Sequence, residues 1–221
     1  MTPYATALLL SAIGIALFIV AGSTAHRLGQ RRRFERTTAW IFIALLTFKY
    51  VTYWLPASDL PFYLPLNLCN LSELLACLSL LTRWYWFRSL LYFWALAAVV
   101  VFITPEPPDE PGTIAYVMFW FSHVLILGVI GYEIIVRGFR PRARDLRMAM
   151  LVTLGYLAIV LPIDIIYNAN YGYVGPVEPT TPTLIDYLGP WPLRVVWIAL
   201  LAATAFVLAW LPWWLYDRIK R

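Results

Sequence analysis

Seven long apolar stretches constrain the fold of this chain more than any other feature of its sequence. A membrane-spanning helix needs about 20 mostly apolar residues, because the hydrocarbon core is roughly 30 Å thick and each helical residue rises about 1.5 Å. Stretches of this kind occupy 4–25, 38–56, 64–82, 87–104, 113–136, 146–167 and 190–215. They predict an all-α fold, a polytopic membrane bundle of seven transmembrane helices that forms a single domain over residues 1–221.

The composition excludes the main soluble classes. The chain is 62% hydrophobic and 13% charged, whereas a soluble domain is about half apolar and about a quarter charged. A soluble enzyme, a disordered chain and a nucleic-acid-binding module are therefore excluded, despite the net charge of +5. With two cysteines, two histidines and no nucleotide loop, haem motif or metal-ligand spacing, we expect no cofactor and no bound metal.

The basic residues predict the orientation of the bundle. Fifteen of the 17 lie in loops on one side, at positions 27, 31–33, 36, 83, 88, 137, 140, 142, 144, 147, 218, 220 and 221. The opposite loops carry acidic residues and a single cation, Arg194. Because short basic loops stay in the cytoplasm, the N-terminus is expected outside and the C-terminus in the cytoplasm.

A few ionisable side chains interrupt the apolar stretches. Lys49, Glu73, His123 and Asp164 fall in four different spans, each in the outer half of the membrane when depth is counted at about 1.5 Å per residue. Glu133 lies near the inner end of its span and is expected to reach the surface. Charges inside a membrane are rare because they are expensive to bury, and they usually have a partner or a function. The opposite signs in this set predict mutual compensation.

Helical spacing extends this polar group. Cys69 and Glu73 are four positions apart and therefore share a helix face. Asp164 and Asn168 have the same spacing. The resulting hypothesis is a polar pocket that opens toward the outer leaflet. The residues expected to bind substrate or line this pocket are Lys49, Asn67, Asn70, Glu73, Asp164, Asn168, Asn170 and Asp186. The alternative is that these groups only bridge helices, at about 0.6 kcal/mol per hydrogen bond.

One cysteine and one histidine in this group have the chemistry of a nucleophile and a base. A thiol reacts as its thiolate and needs a base to form it. His123 is the only histidine within a predicted span, whereas His26 lies in an arginine-rich loop. Cys77 lies among leucines, where a packing role is expected. Sequence spacing alone leaves open whether Cys69 and His123 form a catalytic dyad or pack as ordinary bundle residues.

Several segments resemble a known family. LPLNLCNLS (64–72), FWFSHVLILG (119–128), RPRARDL (140–146), NANYGY (168–173) and DYLGPWP (186–192) are similar to segments of the YwaF-like bacterial integral membrane family, which is related to the eukaryotic transmembrane protein 164. The eukaryotic relative is regarded as an acyltransferase acting on ether phospholipids, with a catalytic Cys and His. By motif, the resemblance assigns these roles to Cys69 and His123. Family members often have His where this chain has Asn67, which can donate a hydrogen bond but cannot shuttle protons at neutral pH.

The leading hypothesis is a membrane enzyme, a phospholipid acyltransferase (transacylase) or lipid esterase, that uses a Cys69–His123 dyad in the outer half of the bilayer. The alternative is a non-enzymatic binder or carrier of a small polar solute or lipid, with the polar residues lining a cavity. A purely structural bundle would leave the motifs unexplained. We expect a multi-pass protein of a bacterial plasma membrane whose partners are membrane lipids and not nucleic acids.

Overall fold

All regular secondary structure in the described parts of the chain is helical. The computed structural model describes residues 2–54, 64–105, 110–177 and 187–220. Its α-helices are α1 (Pro3–Arg27), α2 (Arg31–Lys49), α3 (Leu68–Thr82), α4 (Tyr85–Val101), α5 (Ile114–Ile135), α6 (Ala143–Tyr167) and α7 (Leu193–Ile219). A π-helical segment, Tyr50–Trp54, follows α2, and a 3-10 turn, Tyr171–Tyr173, follows α6. The predicted all-α class is confirmed.

The helices have the length and composition of a multi-pass membrane protein. Among the described residues, α1, α5, α6 and α7 are long and apolar enough to cross a membrane, while α3 and α4 are apolar but shorter. The α2 helix has a lower mean hydropathy because it begins inside the arginine-rich segment. The seven crossings and their direction stay predictions.

The starts of α2 and α3 differ most from the predicted bounds, and the other five helices begin within three residues of theirs. The α2 helix begins at Arg31 instead of 38, since arginine is a good helix former and the basic segment continues the helix beyond its apolar part. The α3 helix begins at Leu68 instead of 64. Pro65 explains this shift, because proline disfavours the helical conformation in the residue before it. Cys69 consequently lies in the first turn of α3.

The chain divides into two compact units. The N-terminal unit comprises Met1–Ser58 and Cys69–Phe139, and the C-terminal unit comprises Asp59–Leu68 and Arg140–Arg221. In the N-terminal unit α5 contacts α1 and α4, and α1 also contacts α2. In the C-terminal unit α6 contacts α7 and the 3-10 turn.

Small residues bring α1 and α5 close together. A Cβ atom on Gly131 of α5 would lie 2.8 Å from Cδ1 of Ile19, and one on Gly22 of α1 would lie 2.6 Å from Cε2 of Tyr132. Such close approach is how helices associate in membranes, where lipid tails remove the hydrophobic advantage of burial. The buried core of the unit continues through Ala39, Ala76, Leu80, Leu91, Ala95, Ala98, Leu125, Ile126, Val129 and Ile130.

Candidate functional site

A buried ion pair links three helices of the N-terminal unit. The Lys49 Nζ atom donates to both carboxylate oxygens of Glu73, at 2.8 and 2.7 Å, and to the Ser122 hydroxyl at 3.0 Å. Lys49 and Glu73 are 7% and 3% exposed. The expected charge compensation is therefore confirmed for this pair. We call Lys49, Glu73 and Ser122 the lysine cluster.

Lys49 is the last residue of α2 and directly precedes the π-helical segment. A π turn widens the helix locally and is frequent at functional sites. The lysine cluster thus joins the C-terminal end of α2 to α3 through Glu73 and to α5 through Ser122.

Cys69 lies one helical turn before Glu73 on α3. It is half-buried, packs against the apolar core and carries a free thiol. Asn70, the next residue, is also half-buried. The first turn of any helix has backbone N–H groups without intrahelical partners. Donors of this kind stabilise the oxyanion of an acyl-transfer reaction when they point to it.

His123 follows Ser122 on α5 and has a defined tautomer. Its Nδ1 lies 2.7 Å from the carbonyl oxygen of Phe119, and because a carbonyl only accepts, Nδ1 carries the proton. In the neutral imidazole Nε2 is then the acceptor that a general base needs. The ring is 4% exposed and packs against Phe119 and Phe102, with centroids 4.6 and 6.5 Å away.

The lysine cluster connects the elements that carry the predicted dyad. Lys49 donates to Glu73, one turn from Cys69 on α3, and to Ser122, the residue before His123 on α5. Within the described residues, the Cys69 thiol and the His123 imidazole form no hydrogen bond with each other. The dyad stays a prediction.

In the C-terminal unit, Asp164 holds the turn that ends α6. Its Oδ1 accepts from the Tyr171 backbone N–H at 2.9 Å, and its backbone carbonyl accepts from the N–H groups of Asn168 and Ala169. Asn168 adopts the left-handed conformation, with φ 54° and ψ 43°. Asp164 is fully buried, and its Oδ2 has no hydrogen-bond partner in the described part of the chain.

Asparagine side chains hold backbone in the same unit. The Gly172 N–H donates to Asn67 Oδ1 at 3.2 Å, and the Gly175 N–H donates to Asn170 Oδ1 at 3.0 Å. A Cβ atom on Gly175 would lie 1.9 Å from the Ala169 carbonyl oxygen, so only glycine fits there. Both amide oxygens therefore accept hydrogen bonds from backbone N–H groups, and the spacing of residues in the sequence did not indicate these partners.

The NANYGY segment (168–173) also binds the segment that precedes α3. The Leu64 N–H donates to the Tyr171 hydroxyl at 2.9 Å, and the Tyr156 hydroxyl of α6 donates to the Leu66 carbonyl at 2.8 Å. Burial raises the pKa of Tyr171 above its usual value. Two of the motifs that carry the family resemblance therefore meet in this unit.

The residues that were predicted to form one site divide between the two units. Lys49, Cys69, Asn70, Glu73 and His123 belong to the N-terminal unit. Asn67, Asp164, Asn168 and Asn170 belong to the C-terminal unit. Asp186 lies outside the described residues. No group of three or more His, Cys, Asp and Glu side chains suited to a metal ion occurs within the described ranges.

One buried glutamate near the basic ends of the helices, Glu35, was not singled out from the sequence. Glu35 is fully buried and accepts from the Tyr132 hydroxyl at 2.9 Å. Four guanidinium groups lie 3.6–3.7 Å from its carboxylate, those of Arg31, Arg32, Arg83 and Arg137. The sequence does contain a signal for this contact, because Glu35 is an acidic residue inside an arginine-rich loop and lies four positions after Arg31.

Glu133 was expected to reach the membrane surface, and that interpretation is wrong. Its side chain is fully buried and bonded to Arg137 and to the Ser79 hydroxyl, with Arg88 at 3.8 Å. The spacing of four residues between Glu133 and Arg137 permits this pairing on one helix face. Pairing with arginine compensates the burial of the carboxylate, so it does not need to extend to water.

Comparison with known proteins gives one family. No curated protein and no solved structure matches the chain. The sequence profile of the TMEM164 family matches residues 2–210, which is nearly the whole chain. This agrees with the resemblance seen in the motifs around Cys69 and His123. The chain is a multi-pass membrane protein that belongs to the TMEM164 family.

Proposed function

We propose that the protein transfers or hydrolyses the acyl groups of membrane lipids, with Cys69 as nucleophile and His123 as general base. The observation that carries the proposal is the lysine cluster, in which Lys49 binds Glu73, one turn from Cys69, and Ser122, the neighbour of His123. Family membership and the Nδ1-protonated imidazole support it. Seven crossings with the N-terminus outside would place this chemistry in the outer half of a plasma membrane.

The proposed reaction proceeds in two acyl transfers. His123 Nε2 takes the thiol proton while the Cys69 sulfur attacks the ester carbonyl carbon, and the protonated imidazole then gives that proton to the leaving lipid alkoxide. A lysolipid hydroxyl or water next attacks the thioester, again with His123 as base, and regenerates the thiol. First-turn N–H groups of α3 and the Asn70 amide would stabilise the oxyanion. Lys49 acts as a positioning residue through its contacts with Glu73 and Ser122.

The chain's difference from many family members at Asn67 fits this scheme. Asn67 accepts a backbone hydrogen bond from Gly172, and no proton transfer is assigned to it. Asp164 and Asn170 hold backbone N–H groups within the C-terminal unit, and no step of the reaction is assigned to them or to Asn168.

The test uses purified full-length protein in liposomes that contain a phospholipid with a labelled acyl chain and an unlabelled lysophospholipid. Transfer of label to the acceptor and release of labelled fatty acid are both measured. We expect Cys69→Ser and His123→Asn to lower the rate by about a hundredfold or more, as for loss of a nucleophile or a general base. Asn at 123 can still donate to the Phe119 carbonyl, so this variant removes the base with little structural change.

Cys77→Ser is the matched control, because Cys77 lies on the same helix and is buried away from the first turn. It should keep its activity per folded molecule. Full activity of Cys69→Ser would contradict the proposal and favour a non-enzymatic binder or carrier.

A further inference from the structure

An apolar cavity of about 550 Å³ lies in the N-terminal unit beside the proposed site. Its volume falls within the roughly 300–1,000 Å³ of small-molecule sites. The α1 helix contributes Ala7, Leu10 and Ser11 to its wall, and the α5 helix contributes Val117, Trp120 and Phe121. No charged side chain occurs among the described residues that line it, so the cavity does not suit a phosphate or an ammonium headgroup.

One polar group in the wall lacks a partner. The Trp120 side chain is 6% exposed, and its Nε1–H makes no hydrogen bond within the described residues. Neighbouring rings hold the indole in place, with Tyr4 and Tyr116 at centroid distances of 6.1 and 6.2 Å. An indole N–H is only a donor. A buried donor without an acceptor is unfavourable, particularly in a membrane where water cannot supply one.

The cavity wall and the imidazole share two aromatic neighbours. Phe102 lies 5.6 Å from the Trp120 ring and 6.5 Å from the His123 ring, and Phe119 lies 5.5 and 4.6 Å from the same two rings. A ligand that reaches Trp120 is therefore separated from His123 by a single layer of side chains.

We propose that this cavity binds a fatty-acyl chain of a membrane lipid ester and that Trp120 Nε1–H donates to the ester carbonyl oxygen. Lipid tails are as apolar as the cavity wall, so burial alone gives the site little preference for one chain over another. The unpartnered donor supplies that preference, because a hydrocarbon tail without an acceptor leaves it unsatisfied. That the bound chain is the one transferred rests on the proposed function, whereas the binding itself does not.

The test is photolabelling of the full-length Cys69→Ser protein in liposomes. The probe is a phosphatidylcholine with a diazirine on its sn-2 acyl chain, compared with an analogue that carries the same chain on an ether linkage without a carbonyl. We expect the labelled peptides to come from the cavity-facing positions of α1 and α5. Ala7→Phe fills the cavity and should lower labelling by both probes, while Ala12→Phe, at an exposed position of α1 outside the cavity, should not.

Trp120→Phe separates hydrogen bonding from packing. It should lower labelling by the ester probe about fivefold relative to the ether probe, the effect of losing one hydrogen bond. Labelling spread evenly over all exposed helix faces, or labelling of the Ala7→Phe protein equal to that of the parent protein, would overturn the proposal. Cavity labelling in a protein whose wild-type form transfers no acyl group would sustain this site and reject the proposed function.

Discussion

The two units use the same kinds of polar side chain in different ways. In the N-terminal unit, Lys49, Glu73 and Ser122 bind one another across three helices. In the C-terminal unit, Asp164 and Asn67 bind backbone N–H groups around a turn. A buried polar residue in a membrane bundle therefore does not by itself mark a reactive site. The contrast locates the proposed chemistry in the N-terminal unit, where a thiol and an imidazole Nε2 accompany the side-chain cluster.

The largest expected effect concerns the lysine cluster. Lys49→Met leaves the Glu73 carboxylate buried without its ammonium and should lower the free energy of unfolding by about 3–5 kcal/mol. Lys49→Met/Glu73→Met removes both charges and should recover most of that loss. Denaturant titration of the purified proteins in mixed micelles measures the difference. A single variant as stable as the wild type would show that the ion pair is dispensable.

A smaller effect is expected at Asp164. Asp164→Ala leaves the buried Tyr171 N–H without an acceptor and should lower the free energy of unfolding by about 1–3 kcal/mol. Asp164→Asn keeps an acceptor oxygen and should lose less, and Asp217→Ala at an exposed position of α7 should change little. The same titration tests this series. If the Asp164→Ala protein is as stable as the wild type but inactive, Asp164 takes part in the reaction and does not only hold the backbone of Tyr171.

The smallest effect is expected at Asn67. Asn67→His provides a ring nitrogen that can still accept from Gly172, so the rate of acyl transfer per folded molecule should stay close to that of the wild type. The liposome transfer assay measures this rate. A change as large as that of Cys69→Ser would mean that position 67 takes part in the reaction.

Much of the fold and part of the site follow from the sequence. Long apolar stretches predict helices directly. The opposite charges at Lys49, Glu73 and Asp164 predicted mutual compensation, which the structure contains for Lys49 and Glu73, whereas Asp164 binds the backbone of Tyr171. Spacing reports which residues share a helix face but not their partners, so it missed Ser122 and the backbone contacts of Asp164. Glu35 was missed, and Glu133 was wrongly expected at the membrane surface, because basic loops suggest solvated charges. The arginines of these loops instead bind carboxylates that are fully buried.

The central claim is that Cys69 carries the acyl group during transfer. Intact mass spectrometry of the full-length protein, quenched during turnover of a diacyl phospholipid, tests it most directly. We predict one added acyl mass that hydroxylamine removes, that maps to Cys69 and that is absent from Cys69→Ser. Continued transfer without such an adduct, or an adduct on Cys77 instead, would contradict the account.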